Sequence, residues 1–136
     1  MTNRIVDCII NLKNKCASKE EEIRKEYSLS PAEYNGLLSI NNNESLKCNQ
    51  LSKKMDLSVS RGSRVIEKLM KNGYLKQESS KTDRRISIIS LTPKGCNAKK
   101  KIEKVLNECE AKILKELTKK EVEQTISILN KLELTL

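Results

Sequence analysis

The sequence predicts a mainly α-helical chain with one small β-hairpin, and three observations carry that prediction. Apolar residues recur at three- and four-residue spacing over most of the 136 positions, as they do on the buried face of a helix. Aromatics are nearly absent (three Tyr, no Phe or Trp), so the core must come from Ile, Leu, Val and Met, which suits helix-on-helix packing. Only 74–77 and 86–91 read as strands, separated by a polar basic loop at 78–85.

Residues 2–26 read as a helix with a stripe at Ile5, Ile9, Leu12 and Cys16, widened by Val6 and Ile10. Nothing adjacent in sequence supplies a surface for so apolar a helix; a partner subunit or a fold-back of the same chain would. Ser30, Pro31 and Glu33 then form a strong helix start, with a capping residue, a first-turn proline and a capping box. That helix is expected to bury Tyr34, Leu37, Leu38 and Ile40 and to end at the Asn41-Asn42-Asn43 turn.

From Leu46 the pattern is a helix-turn-helix. Leu51 and Met55 share a face, Leu57 fills the turn, and Ser58 caps a second helix over 59–72 that Gly73 stops. Its inward stripe is Val65 or Ile66, Leu69 and Met70; its outward face carries Ser60, Arg61, Ser63, Arg64 and Lys68. A helix-turn-helix followed by a hairpin is the winged-helix plan, in which one helix serves a DNA major groove and the hairpin its flank. After Thr92-Pro93, another cap with a first-turn proline, two helices follow. The first carries Ile102, Val105, Leu106, Cys109, Ile113 and Leu117. The second opens on a capping box at Thr118 and Glu121 and carries Val122, Ile126, Leu129 and Leu132. The expected layout is a single domain, with a winged helix-turn-helix core at 30–95 flanked by N- and C-terminal dimerisation helices at 1–26 and 97–136.

Charge agrees with that plan. The formal net charge is +9, which points to a polyanionic partner. Between Gln50 and Arg85 ten basic residues (Lys53, Lys54, Arg61, Arg64, Lys68, Lys71, Lys76, Lys81, Arg84, Arg85) face four acidic ones (Asp56, Glu67, Glu78, Asp83), so two thirds of the excess sits on the helix-turn-helix and hairpin. A solvated lysine-rich surface is the plainer explanation of basic residues, but it does not account for this clustering.

The N-terminal apolar residues are interrupted by Arg4, Asp7, Asn11 and Lys13, which excludes a secretory leader or membrane span there and suggests a cytoplasmic protein. Five cysteines, an odd number at wide spacing, argue against a disulfide framework. With no His and no two cysteines closer than eight residues, neither a metal site nor a cofactor is expected. An enzyme is disfavoured as well: a general base would have to be a tuned carboxylate, Cys or Lys, and no phosphate loop or nucleophile elbow is present.

The stretch from Leu57-Ser58 to Leu69, then Asn72-Gly73-Tyr74-Leu75, and Thr82-Asp83-Arg84-Arg85 leading to Leu91-Thr92-Pro93-Lys94-Gly95, resembles the MarR family of bacterial winged-helix transcription regulators. The resemblance covers nearly the whole chain and implies a homodimer with interlocked terminal helices and two winged lobes on successive half-sites of a pseudo-palindromic operator in double-stranded DNA. Members are most often repressors. The resemblance places Ser60, Arg61, Ser63 and Arg64 near base edges and phosphates, assigns Arg84 and Arg85 to the wing, and gives Asp83 the role of bracing the wing through an Arg. Independently of the family, Arg can bridge guanine O6 and N7, a wing guanidinium suits a narrow minor groove, and Lys53, Lys54, Lys68 and Lys71 suit phosphates. One departure is Gly62, where the family usually has an apolar residue. Glycine there costs about 1 kcal/mol against Ala and either permits close packing or loosens the helix.

Two signals are implied by the same resemblance. Some members sense oxidants through a cysteine near the first helix, which makes Cys8 and Cys16 the redox candidates, although Cys16 lies on the apolar stripe and reads more simply as a small buried hydrophobe. Others release DNA on binding a small aromatic or anionic effector, for which Arg24, Tyr27 and Tyr34 lie in the right part of the chain; the plainer reading makes Tyr34 core and the other two surface. A rival function for the scaffold is a protein-interaction module using its basic face for an acidic protein. The arginines on both helix and wing favour DNA over that rival.

Overall fold

The computed structural model describes residues 4–136 as six helices and one hairpin. In chain order these are α1 (Ile5–Tyr27), α2 (Pro31–Ser39), α3 (Cys48–Lys54), α4 (Val59–Lys71), β1 (Leu75–Ser79), β2 (Ser87–Leu91), α5 (Pro93–Glu116) and α6 (Lys119–Thr135). The chain divides into two compact units, one ending at Lys99 and the other running Lys100–Leu136. The first contains the winged helix; the second holds most of α5 and all of α6.

Local chemistry accounts for five boundaries of the first unit, the starts of α2 and α4 and the ends of α1, α3 and α4. At the start of α2, Glu33 N donates to Ser30 Oγ at 3.1 Å and Ser30 N donates to Glu33 Oε2 at 3.0 Å, so the capping box is complete. Such a cap contributes about 1 kcal/mol. Ser58 caps α4 by accepting from Arg61 N at 3.3 Å. The exits of α1, α3 and α4 share one device, a left-handed residue just past the helix: Ser28 at φ 53°, Asp56 at φ 58° and Gly73 at φ 83°. In each case the next amide closes the last turn. Leu29 N donates to Arg24 O at 2.8 Å, Leu57 N to Ser52 O at 3.0 Å and Tyr74 N to Leu69 O at 2.9 Å.

The core of this unit is aliphatic. Leu37, Ile40, Leu51, Ile66, Leu69 and Ile89 are fully buried, joined by Ile23, Leu29 and Tyr34. Each such side chain contributes about 1.5–3 kcal/mol of burial free energy. Leu38, expected in the core, is half-buried, and so are Val65 and Met70; of the alternatives at 65 and 66, Ile66 faces inward. Buried Lys99 donates to Ile40 O, a carbonyl just past the end of α2.

The hairpin is antiparallel, pairing Leu75 with Leu91, Gln77 with Ile89 and Ser79 with Ser87. Both strands begin one residue later than expected and β1 runs on to Ser79; β1 starts late because Tyr74 N still bonds to Leu69 O and closes α4. Leu46 does not open a helix. It bridges Ile89, with Leu46 N donating to Ile89 O at 2.9 Å and Ile89 N to Leu46 O at 2.7 Å, so the wing gains a third, one-residue rung and α3 starts at Cys48. The expected start of the first helix at residue 2 lies outside the described residues.

In the second unit, α6 opens on a complete capping box between Thr118 and Glu121. The bond from Thr118 N, with a smaller contribution from the Thr118 side chain, holds the Glu121 carboxyl below the usual carboxylate range. The expected stripe of α6 is largely open: Ile126 and Leu129 are both more than half exposed.

Candidate nucleic-acid interface

The face of α4 away from the core presents Ser60, Arg61, Arg64 and Lys68 to solvent, with Ser63 half-buried beside them. The helix is strongly two-sided: Gly62, Ile66 and Leu69 are buried on its other face. Ser60 Oγ lies 3.4 Å from Ser58 Oγ at the capped N-terminus, so the hydroxyls and backbone amides of the first turn are gathered at one end. Arg61 and Arg64 make no ion pair among the described residues and point no charge into the protein. A cationic, hydroxyl-bearing helix face that is not spent on internal pairing can take phosphates and base edges.

Gly62 is the reason α4 sits as deep as it does. A Cβ there would lie 2.0 Å from Ser52 Oγ and 3.0 Å from Ser52 Cα, so α3 and α4 touch backbone to side chain at this point. Of the two roles open to it in the sequence, close packing is the one the geometry shows.

The wing tip is a tight turn in which Asp83 Oδ1 accepts from Arg85 N at 3.0 Å and stands 3.5 Å from Arg85 Nε. Arg84 is exposed and has no ion pair among the described residues. Of the lysines, Lys54 is engaged by Glu44 at 2.8 Å, an ion pair that holds the Glu44 carboxyl below its ordinary range, while Lys53 and Lys71 are exposed.

The residues considered for signalling lie elsewhere. Cys8 and Cys16 are free thiols on α1 and both are exposed. Exposure corrects the expectation that Cys16 is a buried hydrophobe: the turn of α1 that carries it is uncovered in the single chain. Tyr34 belongs to the core at 5% exposure, whereas Arg24 and Tyr27, one helical turn apart near the end of α1, are half-buried. Arg24 Nε is itself buried with no hydrogen-bond partner among the described residues. Tyr27 O accepts from Tyr74 OH at 3.0 Å, and burial, with smaller contributions from Tyr27 and Glu33, pushes the Tyr74 hydroxyl above the ordinary tyrosine value. No group of three His, Cys, Asp or Glu side chains among the described residues could hold a metal ion. No described helix is long and apolar enough to cross a membrane.

Sequence reasoning missed the residues that anchor α4 from behind. Thr92 read only as a cap and Lys94 only as part of the stretch that carries the resemblance, yet both donate to carbonyls just past α4. No local pattern signals a contact that spans the whole hairpin.

The fold and this site together define a winged helix with an exposed cationic helix face. The MarR family model matches residues 29–87, which run from just before α2 to the start of β2. Over 69 residues it is 32% identical to the HTH-type transcriptional regulator BilQ of Clostridium symbiosum, a match covering 51% of this chain and 48% of that protein. The matches span about half the length of the curated relatives, or less. Among solved structures, the reduced form of MarR from E. coli superposes with a TM-score of 0.72 at 19% identity, covering 97% of this chain and 98% of that one. MepR of S. aureus in its DNA complex gives 0.71 at 17% identity, covering 91% and 93%. At such identities the superpositions establish the fold.

Proposed function

We propose that this protein is a sequence-specific, double-stranded DNA-binding transcriptional regulator that acts as a homodimer and represses until a small-molecule or oxidant signal releases it. The observation that carries the DNA reading is the unpaired cationic face of α4, with Arg61 and Arg64 exposed beside Ser60, Ser63 and Lys68. The helix enters the major groove, where an Arg fork matches guanine O6 and N7. The wing, with Arg84 and Arg85 at its tip and Asp83 bracing the turn, follows the adjacent minor groove. The apolar faces left open on α1 and α6 support a second copy of the chain as the partner.

Release needs a ligand or modification that favours one lobe arrangement over another. An anionic or aromatic effector has support in the buried Arg24 Nε, which has no hydrogen-bond partner among the described residues, and in the neighbouring Tyr27; Tyr34 is core. Oxidation has support in the exposed thiols of Cys8 and Cys16.

Binding of the purified protein to DNA upstream of its own gene, against scrambled competitor and across a salt series, tests the reading. Selective binding at two protomers per site with a steep negative salt slope is expected. Arg64→Ala should weaken specific binding by about 1–3 kcal/mol. Unchanged affinity and site preference in that variant would remove Arg64 from the base contacts.

A further inference from the structure

The chain just past α4 is held by the entry to α5 through three consecutive carbonyls. Asn72 O accepts from Lys94 Nζ at 2.7 Å, Gly73 O accepts from Thr92 Oγ1, and Tyr74 O accepts from Thr92 N at 3.1 Å. Gly95 N in turn donates to Thr92 Oγ1 at 3.0 Å, which fixes that hydroxyl as a relay. The backbones meet closely enough that a Cβ on Gly95 would lie 2.1 Å from Tyr74 O. Backbone carbonyls just past a helix end are strong acceptors at the negative pole of the helix, where a cation is favoured.

Lys94 is the only charged donor of the three. Its residue is exposed, yet its ammonium turns to the protein, donating to Asn72 O and standing 4.6 Å from the centre of the Tyr74 ring. Tyr74 is itself fastened to α1 through its hydroxyl. One side chain thus grips the residues through which α4 passes into the wing.

We propose that Lys94 is a positioning residue for DNA recognition: by clamping Asn72 and Tyr74 it sets the angle between α4 and the wing, and it takes no phosphate itself. The inference rests on the DNA-binding reading above and adds to it a residue that lies off the recognition face.

The test compares the parent with Lys94→Met, which keeps the stem but loses the ammonium, and Lys94→Arg, which keeps a cationic donor. Each is titrated across a salt series with a duplex enriched from a random library by the parent and with a scrambled duplex. Amide hydrogen exchange of residues 69–74 is followed in the same three proteins. Lys94→Met should lose about fivefold of the preference for the enriched duplex, the size expected for one exposed cation contact. Its salt slope should stay unchanged, Gly73 and Tyr74 amides should exchange faster, and Lys94→Arg should restore both readouts.

A salt slope lowered by about 0.9 on both duplexes, with preference kept, would make Lys94 a phosphate contact and overturn the proposal. Unaltered preference or unaltered exchange in Lys94→Met would overturn it too, while leaving DNA recognition standing. If the parent enriches no duplex, the DNA-binding reading fails first and this inference falls with it.

Discussion

At the scale of single residues, Gly62 shows how a local cost becomes a packing requirement. In isolation a glycine in the second turn of α4 disfavours the helix by about 1 kcal/mol. Here that loss is offset by contact with Ser52, which is fully buried and donates to Cys48 O at 2.8 Å, so its side chain cannot swing aside freely. Gly62→Ala should therefore destabilise the fold by about 1–3 kcal/mol despite alanine's better helix propensity. The expected signature is a lower denaturant midpoint with an unchanged m-value. A neutral or stabilising result would mean that α3 and α4 can separate without loss. The sequence left close packing and a loosened helix both open at Gly62 and could not choose between them, because spacing along a helix reports which face a residue occupies and not how near the next helix comes. Ser28 and Asp56 were hidden for a related reason: their left-handed backbones close helices where no glycine announces the turn.

At the scale of elements, what could be read was whatever leaves a chemical signature at its own position. Ser30, Ser58 and Thr118 each fixed a helix start, and Gly73 an end, because capping depends on side chains within three residues of the boundary. The Leu46 rung was not readable, since one residue of pairing produces no alternation. The cationic face of α4 was legible from its period, whereas the different environments of the two wing arginines were not. Arg85 lies against Asp83 and Arg84 does not, but an exposed pair of this kind contributes at most about 1 kcal/mol, so a phosphate can take Arg85 from it. Replacing Arg84 and Arg85 together by Ala should flatten the log–log salt dependence of DNA binding by about 0.9 for each phosphate the wing no longer neutralises. Asp83→Ala should leave that slope unchanged while loosening the turn, because Arg85 N is then without its acceptor. Parent and double variant with the same slope would place the wing away from the DNA backbone.

At the scale of the whole molecule, the amphipathic pattern of the terminal helices poses a demand that the single chain does not meet. On α1, Ile5 is 71% and Leu12 63% exposed; on α6, Ile126 is 54% and Leu129 52% exposed. Contiguous apolar faces of this kind are rare on monomers and mark surfaces that another protein covers. A second copy is the economical partner, since a symmetric pair covers the same face on both chains at once and doubles the number of recognition helices. Light scattering of the purified protein should give twice the 15.5 kDa chain mass. Leu12→Glu and Leu129→Glu, tested separately, place a carboxylate in a face that must dry out on association, and each should shift the mass towards one chain. If the dimer sets the spacing of two recognition helices, the same variants lose binding to a two-half-site duplex more steeply than to a single half-site. A parent that scatters as a single 15.5 kDa chain would remove the dimer, and with it the expectation of two protomers per operator. The α4 face would then act alone, and the affinity it could reach would be that of one winged lobe on one half-site.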